Sequence, residues 1–198
     1  FKNIKKIISP AGLEVNSNYV KIGDKVAKTI FILSYPRYLS TGWSEPLINL
    51  PNLFDVSIFI NPMETSKALK NLRKKTGHLE AQISEQQEKG LVRDPLLETA
   101  LQDVESLRDT LLQSQEKLFR VGVYITIYAD NLEELSKLEG RVNSLMEGKL
   151  IYMKPALFQQ LQGLLSIIPL SDDEISITTP MNSGPLASFF PFVSEDLT

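Results

Sequence analysis

The sequence offers few side chains that could carry acid–base or nucleophilic chemistry. Among its 198 residues there is one histidine, His78, and no cysteine. A Ser-His-Asp triad therefore has a single candidate base, and a site built from cysteine thiolates or from several histidines is excluded. His78 lies in a stretch rich in basic residues, which is typical of a histidine on the surface of a helix.

Three groups of carboxylates are close enough in sequence to be considered as catalytic pairs. They are Glu133 with Glu134, Asp103 with Glu105, and the run Asp172-Asp173-Glu174. The first pair falls in a predicted first helical turn, where acidic groups favour the helix dipole. Because no group has a sequence neighbour suited to tune it for acid–base work, a structural role is favoured for all three.

A phosphate-binding loop would require Gly-x-x-x-x-Gly-Lys-Ser/Thr, in which backbone N–H groups cradle the phosphate and the lysine reaches its terminal oxygens. The nearest match is Gly148-Lys149, which is followed by Leu150 and has Asn143 where the first glycine belongs. The motif is absent, so we expect no enzyme activity, no metal site and no bound cofactor in this chain.

Composition and charge place the chain among ordinary folded domains. The hydrophobic fraction is 42%, the charged fraction 23% and the formal net charge −3. No apolar run is long enough to span a bilayer. Charge is uneven along the chain, since residues 1–28 carry six lysines against two acids and residues 171–198 carry five acids and no base.

Hydrophobic periodicity predicts alternating strands and helices. The predicted elements are a hairpin turning at Gly23-Asp24, a strand over 26–33, a short helix over 45–49, a strand over 53–60, two long helices over 62–89 and 95–117, a strand over 118–129, a helix over 130–147, a strand over 150–153 and a helix over 156–165. This order predicts an α+β fold, specifically a ferredoxin-like split β-α-β antiparallel sheet with a long inserted αα-hairpin.

Cap signals refine these boundaries. Asn61-Pro62 is expected to start the first long helix, and Asp130 with Glu133 to cap the helix that follows the third strand. In the strand over 53–60, Phe54, Val56, Ile58 and Ile60 share one face. We expect one domain over 1–168, with the hairpin over about 62–117, followed by a linker or tail over 169–198.

Several short motifs resemble one known family. They are YPRYL at 35–39, Gly42-Trp43, the strand DVSIFI at 55–60 followed by Pro62, and TPMNSGPLASFFPF at 179–192. In this order they resemble the N-terminal domain of the conjugative ATPases of type IV secretion systems, the TraC/TrbE/CagE-like and VirB-type proteins. The candidate interface residues are Tyr35, Pro36, Arg37, Trp43, Phe189, Phe190 and Phe192.

The resemblance implies a non-catalytic assembly and docking domain, cut before the motor domain. ATP and Mg²⁺ would then belong only to that missing motor. The implied partners are the protein's own ATPase domain, other secretion-channel proteins and further copies in a hexamer. The implied location is the cytoplasmic face of the bacterial inner membrane, with any membrane contact peripheral and through the basic segment 1–28.

Two alternatives remain open at this stage. A ferredoxin-like domain could bind single-stranded nucleic acid if Tyr124, Tyr128 and Arg120 formed an exposed stacking face, although the acidic net charge argues against it. The chain could also be a free-standing structural oligomer held by its helical hairpin.

We predict that the purified chain releases no phosphate from ATP, because it lacks the loop that would hold the nucleotide. A phosphate-release assay with Lys149→Ala as the companion variant checks this. ATP hydrolysis that is present in the wild-type chain and lost in Lys149→Ala would contradict this prediction and would show that Gly148-Lys149 binds the nucleotide.

Overall fold

In the computed structural model, residues 12–90, 92 and 94–189 are described, and they form seven strands and six helices. The strands are β1 Leu13–Val15, β2 Val20–Ile22, β3 Lys25–Ser34, β4 Phe54–Pro62, β5 Leu118–Ala129, β6 Tyr152–Pro155 and β7 Thr179–Asn182. The helices are α1 Glu45–Ile48, α2 Thr65–Glu88, α3 Pro95–Leu112, α4 Leu132–Glu147, α5 Gln160–Ile167 and α6 Ser183–Ala187. The predicted α+β class is confirmed.

The strands form one sheet in the order β1-β2-β3-β5-β4, with β6 also paired to β3 and β7 to β5. Strand β3 is central. One of its edges pairs antiparallel with β5, from Val26 opposite Ala129 to Phe31 opposite Tyr124. Its other edge is shared, since β2 pairs with residues 25–27 and β6 with residues 30–34.

The two central strands are buried on both faces. Ile30 of β3 lies directly opposite Ile125 of β5 on one face, and neither is exposed. Helix α4 covers this face with a stripe of apolar residues, namely Leu135, Leu138, Val142 and Met146. Lys28 on the same strand face is buried, and its Nζ donates to Glu139 of α4 at 2.6 Å, which compensates the charge that burial removes from water.

The opposite face of the sheet carries Phe31 and Tyr124, which pack with Ala156 and Ile175. The Tyr124 hydroxyl donates to Asp173 Oδ1 at 2.6 Å and accepts from the Ile177 N–H at 3.2 Å. Loop 168–178 is therefore held against the sheet by a buried phenol.

The Gln160 side chain completes the hydrogen bonding of β3 in the gap between its two edge partners, β2 and β6. The Thr29 N–H donates to Gln160 Oε1 at 2.8 Å, and Gln160 Nε2 donates back to the Thr29 carbonyl at 3.2 Å. The Ala156 N–H reaches the same carbonyl at 2.9 Å. Buried backbone groups must be paired, and here the Gln160 amide makes the two hydrogen bonds that a neighbouring strand would make. These bonds hold α5 close to the sheet.

The chain divides into two compact units. The first comprises residues 1–60, 121–179 and 187–198, and contains the core just described. The second comprises residues 61–120 and 180–186, and contains the α2–α3 hairpin. In the second unit Ala68, Leu111 and Leu118 form the buried centre, and the Ser183 N–H donates to the Lys117 carbonyl at 3.0 Å.

The hairpin helices follow their predicted signals at the turn. Gly90 has a φ of 64°, which an L side chain rarely adopts, and lies just beyond the end of α2. Asp94 caps α3 by accepting from the Leu96 N–H at 2.9 Å. Both helices carry the apolar stripe that packs one arm on the other.

Two predicted caps are wrong. Helix α2 begins at Thr65 with Glu64 as its N-cap, because β4 continues in extended conformation to Pro62. Helix α4 is capped by Asn131, which accepts from the Glu134 N–H at 2.9 Å, and Asp130 instead forms an ion pair with Lys25. The last core strand begins at Tyr152 rather than at residue 150, because Leu150 adopts a φ of 59° after the helix ends.

We expect Gly163→Ala to destabilise the fold by about 1–3 kcal/mol, the range for overpacking a core. A Cβ at position 163 would lie 2.5 Å from the Thr29 Cβ, so α5 would have to move away from β3. Chemical denaturation measures the loss. The matched control is Gly140→Ala at an exposed position of α4. A Cβ there meets nothing within 4 Å, so this substitution should stabilise the fold by about 0.5–1 kcal/mol. Equal effects at both positions would contradict the close approach.

Candidate functional site

Three of the predicted interface residues form an aromatic cluster in the first unit. Tyr35 follows β3, Trp43 precedes α1 and Phe189 follows α6. Ring centroids are 6.2 Å apart for Tyr35 and Trp43, 5.6 Å for Tyr35 and Phe189, and 5.0 Å for Trp43 and Phe189. All three pairs meet edge to face, the geometry that aromatic quadrupoles favour.

Local turns position Trp43. Gly42 has a φ of 72°, and the Trp43 N–H donates to the Ser40 carbonyl at 3.3 Å. The next bond, from the Glu45 N–H to the Gly42 carbonyl at 3.1 Å, leads into α1. A glycine is needed here because the chain reverses in the left-handed region immediately before the indole.

The cluster is buried, and two of its buried atoms are polar, namely the Trp43 Nε1 and the Tyr35 hydroxyl oxygen. Trp43 is 3% exposed and Phe189 is 6% exposed. The Trp43 Nε1–H and the Tyr35 hydroxyl find no hydrogen-bond partner in the described part of the chain. Burial raises the pKa of Tyr35 well above the ordinary value of 10.0, so the phenol is neutral. The arrangement suits an anchor that holds a chain segment, since it presents no nucleophile or base.

The other predicted interface residues are dispersed around this cluster. Pro36 is half-buried and Arg37 is exposed, with the Arg37 guanidinium 5.4 Å from the centre of the Tyr38 ring. Phe190 and Phe192 lie outside the described residues. Within the described chain, therefore, Tyr35, Trp43 and Phe189 are brought into contact, and Arg37 lies at the surface beside Tyr38.

The residues considered for catalysis are not assembled. His78 is exposed on α2, and Glu133 lies in the first turn of α4, where it pairs with Lys137 at 2.7 Å. Asp173 serves Tyr124 and the Ser176 N–H, which donates at 2.8 Å. Residues 12–90, 92 and 94–189 contain no group of three or more acidic or histidine side chains placed to hold a metal ion.

Gly148-Lys149 lies at the wrong end of a helix to bind phosphate. The Gly148 N–H donates to the Ser144 carbonyl at 3.1 Å and closes α4. A helix C-terminus carries a negative partial charge, whereas phosphate binds at helix N-termini. The lysine is thus part of a helix end and not of a phosphate cradle.

The stacking face proposed for nucleic-acid binding lacks its central ring at the surface. Tyr124 is completely buried, and the Tyr128 hydroxyl donates to Asp55 Oδ2 at 2.7 Å. Arg120 is exposed, but the Tyr124 ring is not accessible to a base. Tyr124 cannot stack on a nucleobase in this conformation, so the nucleic-acid hypothesis loses its central residue.

Sequence reasoning missed one exposed feature, which is the outer face of β4. Phe54, Val56, Ile58 and Ile60 share a face as predicted, but Val56, Ile58 and Ile60 are exposed on it. The alternation in the sequence identified the face. Only the short length of α1, the one helix between β3 and β4, could have suggested that the face would stay uncovered.

Comparison with known proteins leaves the family of this chain open. No protein-family model and no curated protein sequence matches it. In the part of the chain that the structure describes, no helix combines the length and the apolar character needed to cross a membrane.

We expect Phe189→Ala to shift the Trp43 emission maximum to longer wavelength, because water reaches the indole once the neighbouring ring is removed. Trp43 is the only tryptophan of the chain, so fluorescence reports this cluster alone. The cost in stability should be about 3 kcal/mol, as for other buried phenylalanines. Phe158→Ala, at a ring that is 83% exposed, is the control. Unchanged emission in Phe189→Ala would contradict the contact.

Proposed function

We propose that this chain is a non-catalytic assembly and docking domain of a conjugation or type IV secretion ATPase. The observation that carries the proposal is the aromatic cluster. Tyr35 and Trp43 belong to one segment that resembles this family, and Phe189 belongs to another about 150 residues further along the sequence. The rings of these two segments pack together, which supports a shared structural purpose for motifs that are far apart in the chain.

We propose further that β3, β4, β5 and β6 form a ferredoxin-like split β-α-β sheet. Their order in space is β6-β3-β5-β4, which is the order expected when two β-α-β units interleave. Helix α1 lies in the first crossover and α4 in the second, and the α2–α3 hairpin is inserted between β4 and β5. The added β1–β2 hairpin and helix α5 distinguish this chain from the simplest form of that fold.

On this proposal the chemistry belongs to a motor domain elsewhere in the parent protein. ATP and Mg²⁺ would bind there, and the domain described here would contact the motor, other channel proteins and further subunits of a hexamer. The setting would be the cytoplasmic face of the bacterial inner membrane. The exposed face of β4, the helices of the second unit and the exposed Arg37 would be the elements that make such contacts.

Two measurements test this function. The gene should continue beyond Thr198 into a sequence that encodes Gly-x-x-x-x-Gly-Lys-Ser/Thr, and the purified motor domain encoded there should be captured by the immobilised chain. Arg37→Glu is expected to weaken capture at least about tenfold, because charge reversal at an interface rim opposes association. Arg141→Glu, at an exposed position on α4, is the matched control and should capture normally.

A gene that stops without the phosphate-binding motif would overturn the proposed function. Failure of the wild-type chain to capture the motor at low salt would do the same for the docking role.

A further inference from the structure

Strand β4 lies at one end of the sheet and has β5 as its single neighbour among the described strands. The Tyr128 N–H donates to the Leu53 carbonyl at 3.2 Å, and the Met63 N–H donates to the Leu118 carbonyl at 2.8 Å. Both bonds give the same antiparallel register. Because hydrogen-bonding direction alternates along an antiparallel strand, odd-numbered residues of β4 point their backbone groups at β5 and even-numbered residues point theirs outward.

The same even-numbered residues carry exposed apolar side chains. Val56 is 42% exposed, Ile58 42% and Ile60 48%. A crossover between parallel strands usually contains a helix that covers the sheet, but α1 has only four residues. Val56, Ile58 and Ile60, together with their outward N–H and C=O groups, therefore form an edge that no described element covers, here called the β4 edge.

This edge lacks the devices that normally keep strands apart. Natural edges are protected by lysines, prolines, bulges or inward-pointing charges. The strand has one charged residue, Asp55, and its side chain lies on the other face, where it accepts from Tyr128. Its one proline, Pro62, is at the very end. The five residues from Val56 to Ile60 include no charged residue and no proline that would oppose the addition of another strand.

We propose that the β4 edge pairs antiparallel with the β4 edge of a second copy of this chain, about a two-fold axis at Ile58. In this register Ile58 faces its own counterpart, and Val56 faces Ile60 of the other copy. Each of these residues has outward N–H and C=O groups, so the three pairs can exchange six hydrogen bonds. The apolar side chains of both copies then lie side by side on one face of a continuous sheet.

The strand is self-complementary in this register, which is why the second copy is the partner. A two-fold axis at Ile58 brings only apolar residues together on the exposed face, because Ile58 meets its own counterpart and Val56 meets Ile60. Asp55 falls opposite Asn61, so no like charges meet across the axis. Ser57 falls opposite Phe59. A foreign strand would have to reproduce this pattern, whereas a second copy has it by identity, as isologous interfaces require.

Dimerisation through β4 would add contacts between subunits to the docking role proposed above. Only its biological setting rests on that proposed function. It is measured on the isolated chain without a motor domain. A chain that captures the motor but stays monomeric would overturn the β4 pairing and leave the proposed function intact.

The first experiment measures molar mass by light scattering and sedimentation across a concentration series. The wild-type chain is expected to sediment as a dimer, and Ile58→Lys is expected to raise the dissociation constant at least about tenfold, because two lysines would meet at the axis. Leu170→Lys, at an exposed apolar residue away from β4, should leave the dimer unchanged. A monomeric wild type, or an unaffected Ile58→Lys variant that remains folded by circular dichroism, would overturn the proposal.

The second experiment tests the register. The chain has no cysteine, so a single introduced thiol reports its own neighbour. Directly opposed residues have Cα atoms about 5.5 Å apart, within the range that a disulfide spans. Ile58→Cys should form a covalent dimer under mild oxidation, whereas Ser57→Cys, on the opposite face and out of register with itself, should not. Equal cross-linking of both variants would overturn the two-fold at Ile58.

Discussion

The antiparallel pairing of β3 with β5 is the constraint on which the rest of the molecule depends. Because side chains alternate across a pleated strand, the register that places Ile30 opposite Ile125 also places Phe31 opposite Tyr124. One face of the pair must then be covered by α4, and the other by α5 and loop 168–178. A slip of one residue would exchange the two faces. Ile125 would then lie under α5 and loop 168–178, and Tyr124 would lie under α4, away from its partners Asp173 and Ile177.

The same pairing leaves β3 with one edge to be completed by other elements. Strands β2 and β6 cover its two ends, and the Gln160 amide satisfies Thr29 between them. This arrangement seats α5 and sends the chain onward across the sheet towards Asp173 and Ile177. The aromatic cluster lies at the end of the same strand, since Tyr35 directly follows β3 and its ring packs against Trp43 and Phe189.

Burial is distributed unevenly between the two edges of this framework. The paired strands β3 and β5 are buried on both faces. On β4, the Phe59 ring packs against Tyr124 on one face, whereas Ile58 is exposed on the other face. An edge strand with a solvent-exposed apolar face and outward-facing backbone groups is a template for pairing with another strand. The proposed pairing of two β4 strands rests on this exposed face.

The sequence by itself determined the elements of this protein. Alternation over 118–129 and the Gly90 and Asp94-Pro95 signals located β5 and the hairpin, because these signals act through nearby backbone geometry. The motifs that resemble a known family also identified Tyr35, Trp43 and Phe189 as candidate interface residues. Only the tertiary structure decided that Phe189 is buried against Trp43, that Tyr124 is inaccessible, that Asn131 rather than Asp130 caps α4, and that Ile58 faces outward. The burial of Phe189 and Tyr124 and the exposure of Ile58 depend on packing between residues far apart in the chain, and no local pattern encodes which surface another element will cover. The cap of α4 is local, since Asn131 accepts from the Glu134 N–H, but the lysine that pairs with Asp130 is the distant Lys25.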